Sequence, residues 1–291
     1  MDKPLVSVIC LSYNHAPYLR QALDGMLCQK TDFDYEIIIH DDASTDDSAV
    51  IISEYKRIYP KQVYSILQKE NLSKSKQSFR TFVYPKLRGE FTAICEGDDY
   101  WCYQEKLQRQ IDYMRSHSEC SMTASAANIM VDEAIVYDDR RSDVERDFTA
   151  DEVIGGGGDF LATATLCCRT KYLLELPAFR TKAIVGDYPL VILMALKGIV
   201  HYFPEAMAVY RYMRPGSWTA MHRKDDDKQR KKTWYEAEIA MYSRVLEYAG
   251  DRCRNTIRQR QLMFEDCLWN LGLYDLSDYL ERVAQLEHPD E

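Results

Sequence analysis

Three acidic side chains stand within four positions of one another, directly after an apolar run. The stretch is ICEGDDYW at residues 94–101, and its acids are Glu96, Asp98 and Asp99. Because their charges repel, a chain that keeps them together needs a cation or another positively charged group nearby. Carboxylate oxygens are the protein ligands that Mg²⁺ and Mn²⁺ prefer. The stretch therefore predicts a cation site, although acids placed here would also stabilise the start of a following helix.

Two further apolar runs end in polar groups. One run leads into SYNH at residues 12–15, and the other leads into HDDASTDD at residues 40–47. Asp41 or Asp42 can accept a hydrogen bond from the imide N–H of a uracil, and Tyr13 can stack on a base. Such groups would bind a nucleotide whose diphosphate is neutralised by a divalent ion. The simpler interpretation is that the Ser-Thr pair of the second segment only caps a helix.

The elements that would position these groups alternate between strand-like apolar runs and segments with the apolar spacing of a helix. Near-continuous apolar runs rich in β-branched residues are typical of strands buried on both faces, and each run is followed by apolar residues at helical spacing. This alternation predicts βαβ units and a mainly parallel sheet flanked by helices, an α/β fold. Ligands of such sheets bind beyond the carboxyl ends of the strands, where these acids lie. The predicted strands are 5–11, 35–40, 62–67 and 91–95, and the predicted helices are 16–29, 46–59, 75–87 and 104–116.

The pattern is looser from about residue 118. Charged residues at 137–148 are expected to be exposed, and the four glycines at 155–158 predict a mobile loop. The remaining expected elements are a strand-like run at 161–168, a helix at 188–197, a strand-like run at 200–212 and a helical C-terminal extension at 223–291.

The composition argues against several classes of protein. The chain has 291 residues, of which 46% are hydrophobic and 29% are charged, so it can bury a sizeable core. Its formal net charge of −9 argues against a nucleic-acid binder. No apolar run is long enough for a signal-peptide core or a membrane span. Nine cysteines without paired spacing predict reduced thiols in a cytoplasmic protein and argue against a zinc site.

Two common nucleotide-binding loops are absent from the sequence. A Rossmann dehydrogenase carries Gly-x-Gly-x-x-Gly after its first strand, where this chain has the residues Asn14 to Pro17. A Walker A loop is missing as well. A nucleotidyltransferase is the first alternative, but it would be expected to carry a basic, glycine-rich loop at the same place. The second alternative is a non-catalytic protein that binds sugar nucleotides or carbohydrate.

Three segments together resemble the nucleotide-sugar-binding half of the family 2 glycosyltransferases, which have the A-type glycosyltransferase fold. The segments are PLVSVICLSYNHAPYLRQALDGMLCQ, YEIIIHDDASTDDS and FTAICEGDDYWCYQEKLQRQIDYM, and the resemblance covers about residues 4–117. It implies transfer of a sugar from a nucleoside diphosphate donor, with UDP as the expected nucleotide, to an acceptor hydroxyl. It also implies a divalent cation, Mn²⁺ or Mg²⁺.

The resemblance assigns roles to individual residues. Tyr13 and Asp42 match positions that contact the base, Glu96 replaces the first Asp of the D-x-D motif, and Asp98 matches the acid most often bound to metal. The segment NLSKSKQSF departs from the family pattern because Ser73 replaces a glycine. The residues expected to bind the donor are Ser12, Tyr13, Asn14, Asp41, Asp42, Ser44, Lys76, Glu96, Gly97, Asp98, Trp101 and Arg211, and those expected to bind the metal are Asp98, Asp99 and His222.

The second half carries two further resemblances. VGDYPLVILMALKG at 185–198 is similar to the family segment whose Asp is the general base, which implies that role for Asp187 and transfer with inversion. The alternative is that Asp187 only caps the helix that follows. AVYRYMRPGSWTAMH at 208–222 is similar to the family segment that lines the diphosphate, with Arg211, Arg214 and His222 as candidates.

These assignments define an expected organisation. A catalytic domain spans 1–222, with a donor-binding half at 1–117 and an acceptor-binding half at 118–222, and the helical extension follows at 223–291. The expected partners are the sugar nucleotide and a carbohydrate or lipid-linked glycan acceptor, within cell-surface polysaccharide assembly. Peripheral contact with the inner face of the cell membrane and a homodimer through the C-terminal helices are further hypotheses.

Overall fold

A computed structural model describes residues 3–72, 79–223 and 226–287. The chain divides into two compact units that interleave along the sequence. The first comprises Met1–Phe148, Leu161–Leu174 and Lys197–Arg214, and the second comprises Thr149–Phe160, Glu175–Leu196 and Pro215–Glu291. The functional regions expected from the sequence, 1–117, 118–222 and 223–291, remain predictions.

The first unit is built on one mixed sheet. Its strands are β1 (Val6–Ser12), β2 (Tyr35–Asp41), β3 (Val63–Leu67), β4 (Phe91–Ile94), β5 (Tyr100–Trp101), β6 (Cys120–Val131), β7 (Ala134–Asp139), β8 (Arg146–Phe148), β9 (Cys167–Arg169) and β10 (Ile199–Arg211). The order is β3-β2-β1-β4-β9-β6-β10-β5, with β7 beside β6 and β8 beside β10. The pairs among β1 to β4 and the long pair β6–β10 are parallel, which confirms the predicted α/β class and mainly parallel sheet.

The helices follow the predicted alternation in the first unit and dominate the second. They are α1 (Ala16–Leu27), α2 (Ser48–Ile58), α3 (Arg80–Val83), α4 (Lys106–Ser116), α5 (Ala150–Gly156), α6 (Thr170–Leu173), α7 (Ala178–Thr181), α8 (Tyr188–Lys197), α9 (Trp218–Arg223), α10 (Lys228–Ala249), α11 (Arg254–Asn270) and α12 (Leu276–Glu287). None of the described helices is long and apolar enough to cross a membrane. All nine cysteines are free thiols, as predicted.

The core of the first unit forms where the apolar strand runs meet the helices. Val8 and Cys10 of β1 and Ile37 of β2 are fully buried, and the apolar side of α1 packs on them through Leu19 and Leu23. Residues of β1 and β2 pair in register, so Ser12 lies opposite Asp41 at their carboxyl ends. The buried runs thereby bring the polar residues that follow them to the same edge of the sheet.

Two local expectations are wrong. Only two of the four glycines lie in a loop, because α5 continues through Gly155 and Gly156 and ends before Gly157, whose φ is 76°. A capping box starts this helix: Glu152 N–H donates to Thr149 Oγ1 at 3.2 Å, and Thr149 N–H donates to Glu152 Oε2 at 2.8 Å. That reciprocal cap helps to offset the low helix propensity of the glycines.

The strand-like run at 161–168 is mostly not a strand. A short 3₁₀ turn, Thr163–Thr165, precedes β9. Side chains satisfy its carbonyl groups, since Trp101 Nε1 donates to Ala164 O at 2.8 Å and Gln110 Nε2 donates to Thr165 O at 2.8 Å. These bonds replace the ladder that a strand would need.

Candidate active site

The loops after β1, β2 and β4 are joined by backbone hydrogen bonds at one edge of the sheet. Asp42 N–H donates to Ser12 O at 2.9 Å, and Gly97 N–H donates to Leu11 O at 2.8 Å. A Cβ added to Gly97 would lie 3.0 Å from His15 Nδ1. The three polar segments singled out from the sequence therefore lie together.

Asp41 shapes the turn after β2. Its side chain is buried, with 1% exposed, and it accepts two hydrogen bonds from Ser44, one from the N–H at 3.0 Å and one from the hydroxyl at 2.5 Å. Both carboxylate oxygens are thus used within the turn. The carboxylate of Asp42 is also engaged, because it accepts the Leu72 N–H at 2.7 Å.

Asn14 connects this turn to the loop after β1. Its φ is 54°, its N–H donates to Ser44 Oγ at 2.9 Å, and its Oδ1 accepts the Thr45 N–H at 2.8 Å. The neighbouring Tyr13 is 43% exposed, so its ring is accessible for the predicted stacking on a base.

Asp98 lies against a guanidinium group. Arg214 Nε is 2.6 Å from Asp98 Oδ2, and Arg214 Nη2 donates to His15 Nε2 at 2.7 Å. Because a guanidinium only donates, His15 Nε2 accepts, and the ring is neutral with its proton on Nδ1, 3.6 Å from Asp98 Oδ1. Burial lowers the pKa of His15, and the charge of Arg214 lowers it further against the opposing effect of Asp98.

Asp99 is joined to the backbone of Arg211 by a hydrogen bond. Asp99 is 2% exposed, and its Oδ1 accepts the Arg211 N–H at 2.9 Å. Burial raises the pKa of Asp99 well above its ordinary value, and the charge of Asp98 raises it further. The Arg211 guanidinium donates to Asp98 O at 2.6 Å and to Gln21 Oε1.

The fit of a divalent cation depends on Arg214. A carboxylate such as Asp98 is a suitable ligand, but its Oδ2 is already paired with the Arg214 guanidinium. Across the described ranges, no group of three or more His, Cys, Asp or Glu side chains is arranged to hold a metal. A cation that binds Oδ2 of Asp98 would therefore compete with Arg214.

Several buried polar atoms of the site have no hydrogen-bond partner within the described part of the chain. They are Ser12 Oγ, His15 Nδ1 and Arg211 Nε. Buried polar groups are normally satisfied, so three such atoms on His15 and on the last residues of β1 and β10 are consistent with a site that binds a polar ligand.

Trp101 is buried, whereas the sequence predicted that it binds the donor. It is 3% exposed in the core of the first unit, its indole N–H donates to Ala164 O, and Lys106 Nζ lies 4.4 Å from its ring centre. The ring therefore packs as a core residue and has no open face for a sugar. Lys76 lies outside the described residues, as does the side chain of His222, whose backbone is in α9.

Two members of this site did not stand out in the sequence. His15 was only part of the SYNH segment, and Gln21 carried no signal. The one available indication for His15 is its position directly after Asn14, where β1 has ended and α1 is about to begin.

Comparison with known proteins decides the family. The model of the family described as Glycosyl transferase family 2 matches residues 7–159, more than half of the chain. The chain belongs to glycosyl transferase family 2. Its fold is the A-type glycosyltransferase fold, as the resemblance implied.

Relatives of this family 2 chain occur in several bacteria. An uncharacterised protein of Mycobacterium bovis is 33% identical over 237 residues, which are 79% of this chain and 63% of that protein. The chain thus spans less than two thirds of that relative's length. The putative teichuronic acid biosynthesis glycosyltransferase TuaG of Bacillus subtilis is 25% identical over 89% of this chain and 98% of its own.

Solved structures share the fold at low identity. The structure of TarS of Staphylococcus aureus in complex with UDP-GlcNAc superposes with a TM-score of 0.65 at 17% identity, over 89% of this chain and 71% of that chain. The mannosyltransferase PcManGT of Pyrobaculum calidifontis, in complex with GDP-Man and Mn²⁺, gives a TM-score of 0.56 at 14% identity, over 97% and 79% of the two chains.

Asp187 lies in the second unit, directly before α8. It is exposed, its Oδ1 accepts the Tyr188 N–H at 2.8 Å, and its carbonyl accepts the N–H groups of Leu190 and Val191. These bonds show that Asp187 caps α8, which the capping alternative predicted. Its role as a base remains a prediction.

Proposed function

We propose that this protein is an inverting, metal-dependent glycosyltransferase that moves a sugar from a nucleoside diphosphate donor to an acceptor hydroxyl. The observation that carries the proposal is the meeting of three polar strand ends at one edge of the first unit's sheet, with Asp98 between Arg214 and His15. The family membership of the chain supports the same reaction class. The expected donor is a UDP-sugar, in keeping with the UDP-sugar bound by TarS.

On the donor side, different residues would contact the base, the ribose and the diphosphate of the nucleotide. Tyr13 stacks on the base, and Asp42, with Ser44 and Asn14 around it, contacts the base edge. Glu96 reaches the ribose, and Arg211 and Arg214 supply positive charge near the diphosphate. A divalent cation bound at Asp98 would supply further positive charge to stabilise the leaving diphosphate.

On the acceptor side, Asp187 is the proposed general base. Its carboxylate accepts the proton of the acceptor hydroxyl while that oxygen bonds to the anomeric carbon. The bond to the diphosphate breaks on the opposite face, so the configuration inverts, as expected when one base acts in a single displacement. Acting as the cap of α8 is compatible with this role.

The acceptor is proposed to be a carbohydrate or lipid-linked glycan in cell-surface polysaccharide assembly at the cytoplasmic side of the membrane. The relative TuaG, named for teichuronic acid biosynthesis, supports an acceptor of this kind. Peripheral membrane contact and a dimer through the C-terminal helices remain part of the hypothesis.

The test is Asp187→Asn beside the control Asp251→Asn, which changes another exposed carboxylate of the second unit. We expect release of UDP from UDP-sugar in the presence of acceptor to fall by about 10²- to 10⁴-fold in the first variant and to stay unchanged in the second. Calorimetry should show unchanged donor affinity in both. Undiminished turnover of Asp187→Asn would exclude it as the base, and donor binding without any turnover in the wild type would favour a non-catalytic binder.

A further inference from the structure

A cleft lies at the edge of the first unit's sheet that is opposite the candidate active site. Its volume is about 340 Å³, and it is lined by the segments before β1 and β4 and by the end of β9 with the residues after it. β1 and β4 are parallel, and Phe91 at the start of β4 pairs with Arg169 at the end of β9, so these ends share one edge. The active-site loops follow the carboxyl ends of β1 and β4. The cleft is therefore separate from the donor-binding residues, and it lies entirely within the first unit.

The charged side chains that line the cleft are mostly cationic. They are Lys3, Arg88, Arg169 and Lys171, and Glu90 is the acid among the described lining residues. The chain as a whole has a formal net charge of −9, so a local excess of positive charge is unusual for it. Lys3 and Lys171 are exposed, so their long side chains can turn their ammonium groups toward a ligand.

Arg169 is the fixed cation of the cleft. It is 8% exposed, and its Nε donates to Cys120 O at 2.8 Å. Its Nη2 donates to Met114 O at 2.7 Å and to His117 O at 3.1 Å. The remaining nitrogen, Nη1, lies 3.7 Å from Glu90 Oε1, which is beyond hydrogen-bond distance. The three carbonyl groups thus fix the guanidinium without neutralising it, and an anion bound at Nη1 would stabilise this largely buried charge.

The loop that carries Arg88 forms the opposite wall. Arg88 Nε donates to Glu36 Oε2 at 2.8 Å, and the N–H groups of Arg88 and Gly89 donate to Ser7 Oγ at 3.1 Å and 2.9 Å. These bonds fix the loop against β1 and β2, so the cleft is formed before any ligand binds. Because Glu36 compensates Arg88, the excess of positive charge comes from Arg169 and the two lysines.

We propose that this cleft is a second ligand site, which binds a phosphate group through Arg169 Nη1 and the ammonium groups of Lys3 and Lys171. Guanidinium and ammonium groups are typical phosphate ligands, and three of them match the charge of a phosphate dianion. Glu90 does not close the site, because its side chain is 63% exposed and can turn away from Nη1 into solvent. The phosphate belongs either to a free phosphate compound or to a phospholipid headgroup. The inference is independent of the proposed function.

The experiment compares the wild type with the double variant Lys3→Gln/Lys171→Gln. The matched control is Lys56→Gln/Lys61→Gln, which removes two exposed lysines of the same unit and changes the net charge equally. One arm titrates inorganic phosphate by calorimetry, and the other measures co-sedimentation with phosphatidylglycerol vesicles, with phosphatidylcholine vesicles as the blank. We expect the wild type and the control to bind one of these probes alike and the double variant to bind it at least about tenfold more weakly, because two charge-assisted contacts are lost.

The two arms identify the source of the phosphate. Binding of inorganic phosphate that the double variant loses indicates a free phosphate compound, whereas vesicle binding that it loses, without binding of inorganic phosphate, indicates a headgroup. Replacement of Arg169 would also break its bonds to three carbonyl groups, so the exposed lysines carry the test. Equal affinity of all three proteins would overturn the inference, because the phosphate would then bind elsewhere, for example at Arg214. Failure of the wild type to bind either probe at millimolar concentration would overturn it as well.

Discussion

Arg214 forms an ion pair with Asp98, the carboxylate that the sequence predicted as a metal ligand. The pair joins residues 116 positions apart, and both side chains are largely shielded from solvent, 11% and 15% exposed. A guanidinium and a divalent cation cannot occupy the same side of one carboxylate. Arg214, which a diphosphate would also attract, would therefore compete with an ion for Asp98 Oδ2.

Replacement of Arg214 by Met tests this competition. We expect Arg214→Met to bind Mn²⁺ without nucleotide about tenfold more tightly than the wild type, because Asp98 loses its counter-ion. Titration calorimetry or electron paramagnetic resonance of free Mn²⁺ measures it. Arg20→Met, which removes an exposed arginine paired with Glu54 in the same unit, should leave Mn²⁺ affinity unchanged. Equal Mn²⁺ affinity in all three proteins would refute competition at Asp98.

The position of the acidic turn depends on how closely α1 packs on β5. A Cβ added to Gly25 of α1 would lie 2.6 Å from Trp101 O, a backbone atom that cannot move without shifting the strand. The strand directly follows Asp98 and Asp99. The helix therefore reaches the site's supporting strand only because residue 25 has no side chain.

Gly25→Ala should accordingly destabilise the protein by about 2–3 kcal/mol and weaken UDP binding, since overpacking forces the strand outward. Gly155→Ala is the matched helical control, because its Cβ would meet Thr256 Cγ2 at an ordinary 3.5 Å. It should be neutral or stabilising by up to about 1 kcal/mol. Urea unfolding and UDP calorimetry measure both effects, and equal stability of the two variants would contradict the packing argument.

For the molecule as a whole, Glu238 makes stability depend on pH. Its pKa is higher in the folded protein than in the unfolded chain, so the folded state binds the proton more tightly. Its contribution is fully present below pH 4.5 and is lost as pH rises through about 7. A protonated Glu238 therefore stabilises the second unit, and an ionised one destabilises it.

Removal of this charge should stabilise the protein in the alkaline range. We expect Glu238→Gln to be more stable than the wild type at pH 8 by up to about 3 kcal/mol and nearly equal to it at pH 4.5. The measurement is urea unfolding of both proteins across that range, compared as a difference so that other titrating groups cancel. A difference that does not change with pH would show that Glu238 has an ordinary pKa.

Local patterns were enough to predict the strands of the first 117 residues, and three of their four helices, within a few positions. Of the fourth predicted helix, 75–87, residues 75–78 lie outside the described chain, and the rest forms only the short α3 and a 3₁₀ turn. The apolar runs and the helical spacing that follows them are properties of short segments, so no distant residue is needed to read them. The predictions for the four glycines and for the run at 161–168 were less accurate. At the glycines a capping box stabilises a helix against their low helix propensity, and at 161–168 side-chain hydrogen bonds to the backbone replace the bonds of a strand. The role of Trp101 was misjudged for a related reason: adjacency to the acids in sequence does not say which face of a strand is buried.

The sequence by itself determined that polar groups follow the parallel strands and would lie at one edge of the sheet, because β1, β2 and β4 must pair side by side with their buried faces covered. Only the tertiary structure decided which groups surround the acids there. Arg214 and His15 meet Asp98 from distant parts of the chain, and Glu238 lies within the electrostatic reach of Asp187 only because α10 packs in the same unit. Coulomb interactions depend on distance in space, which chain order does not specify.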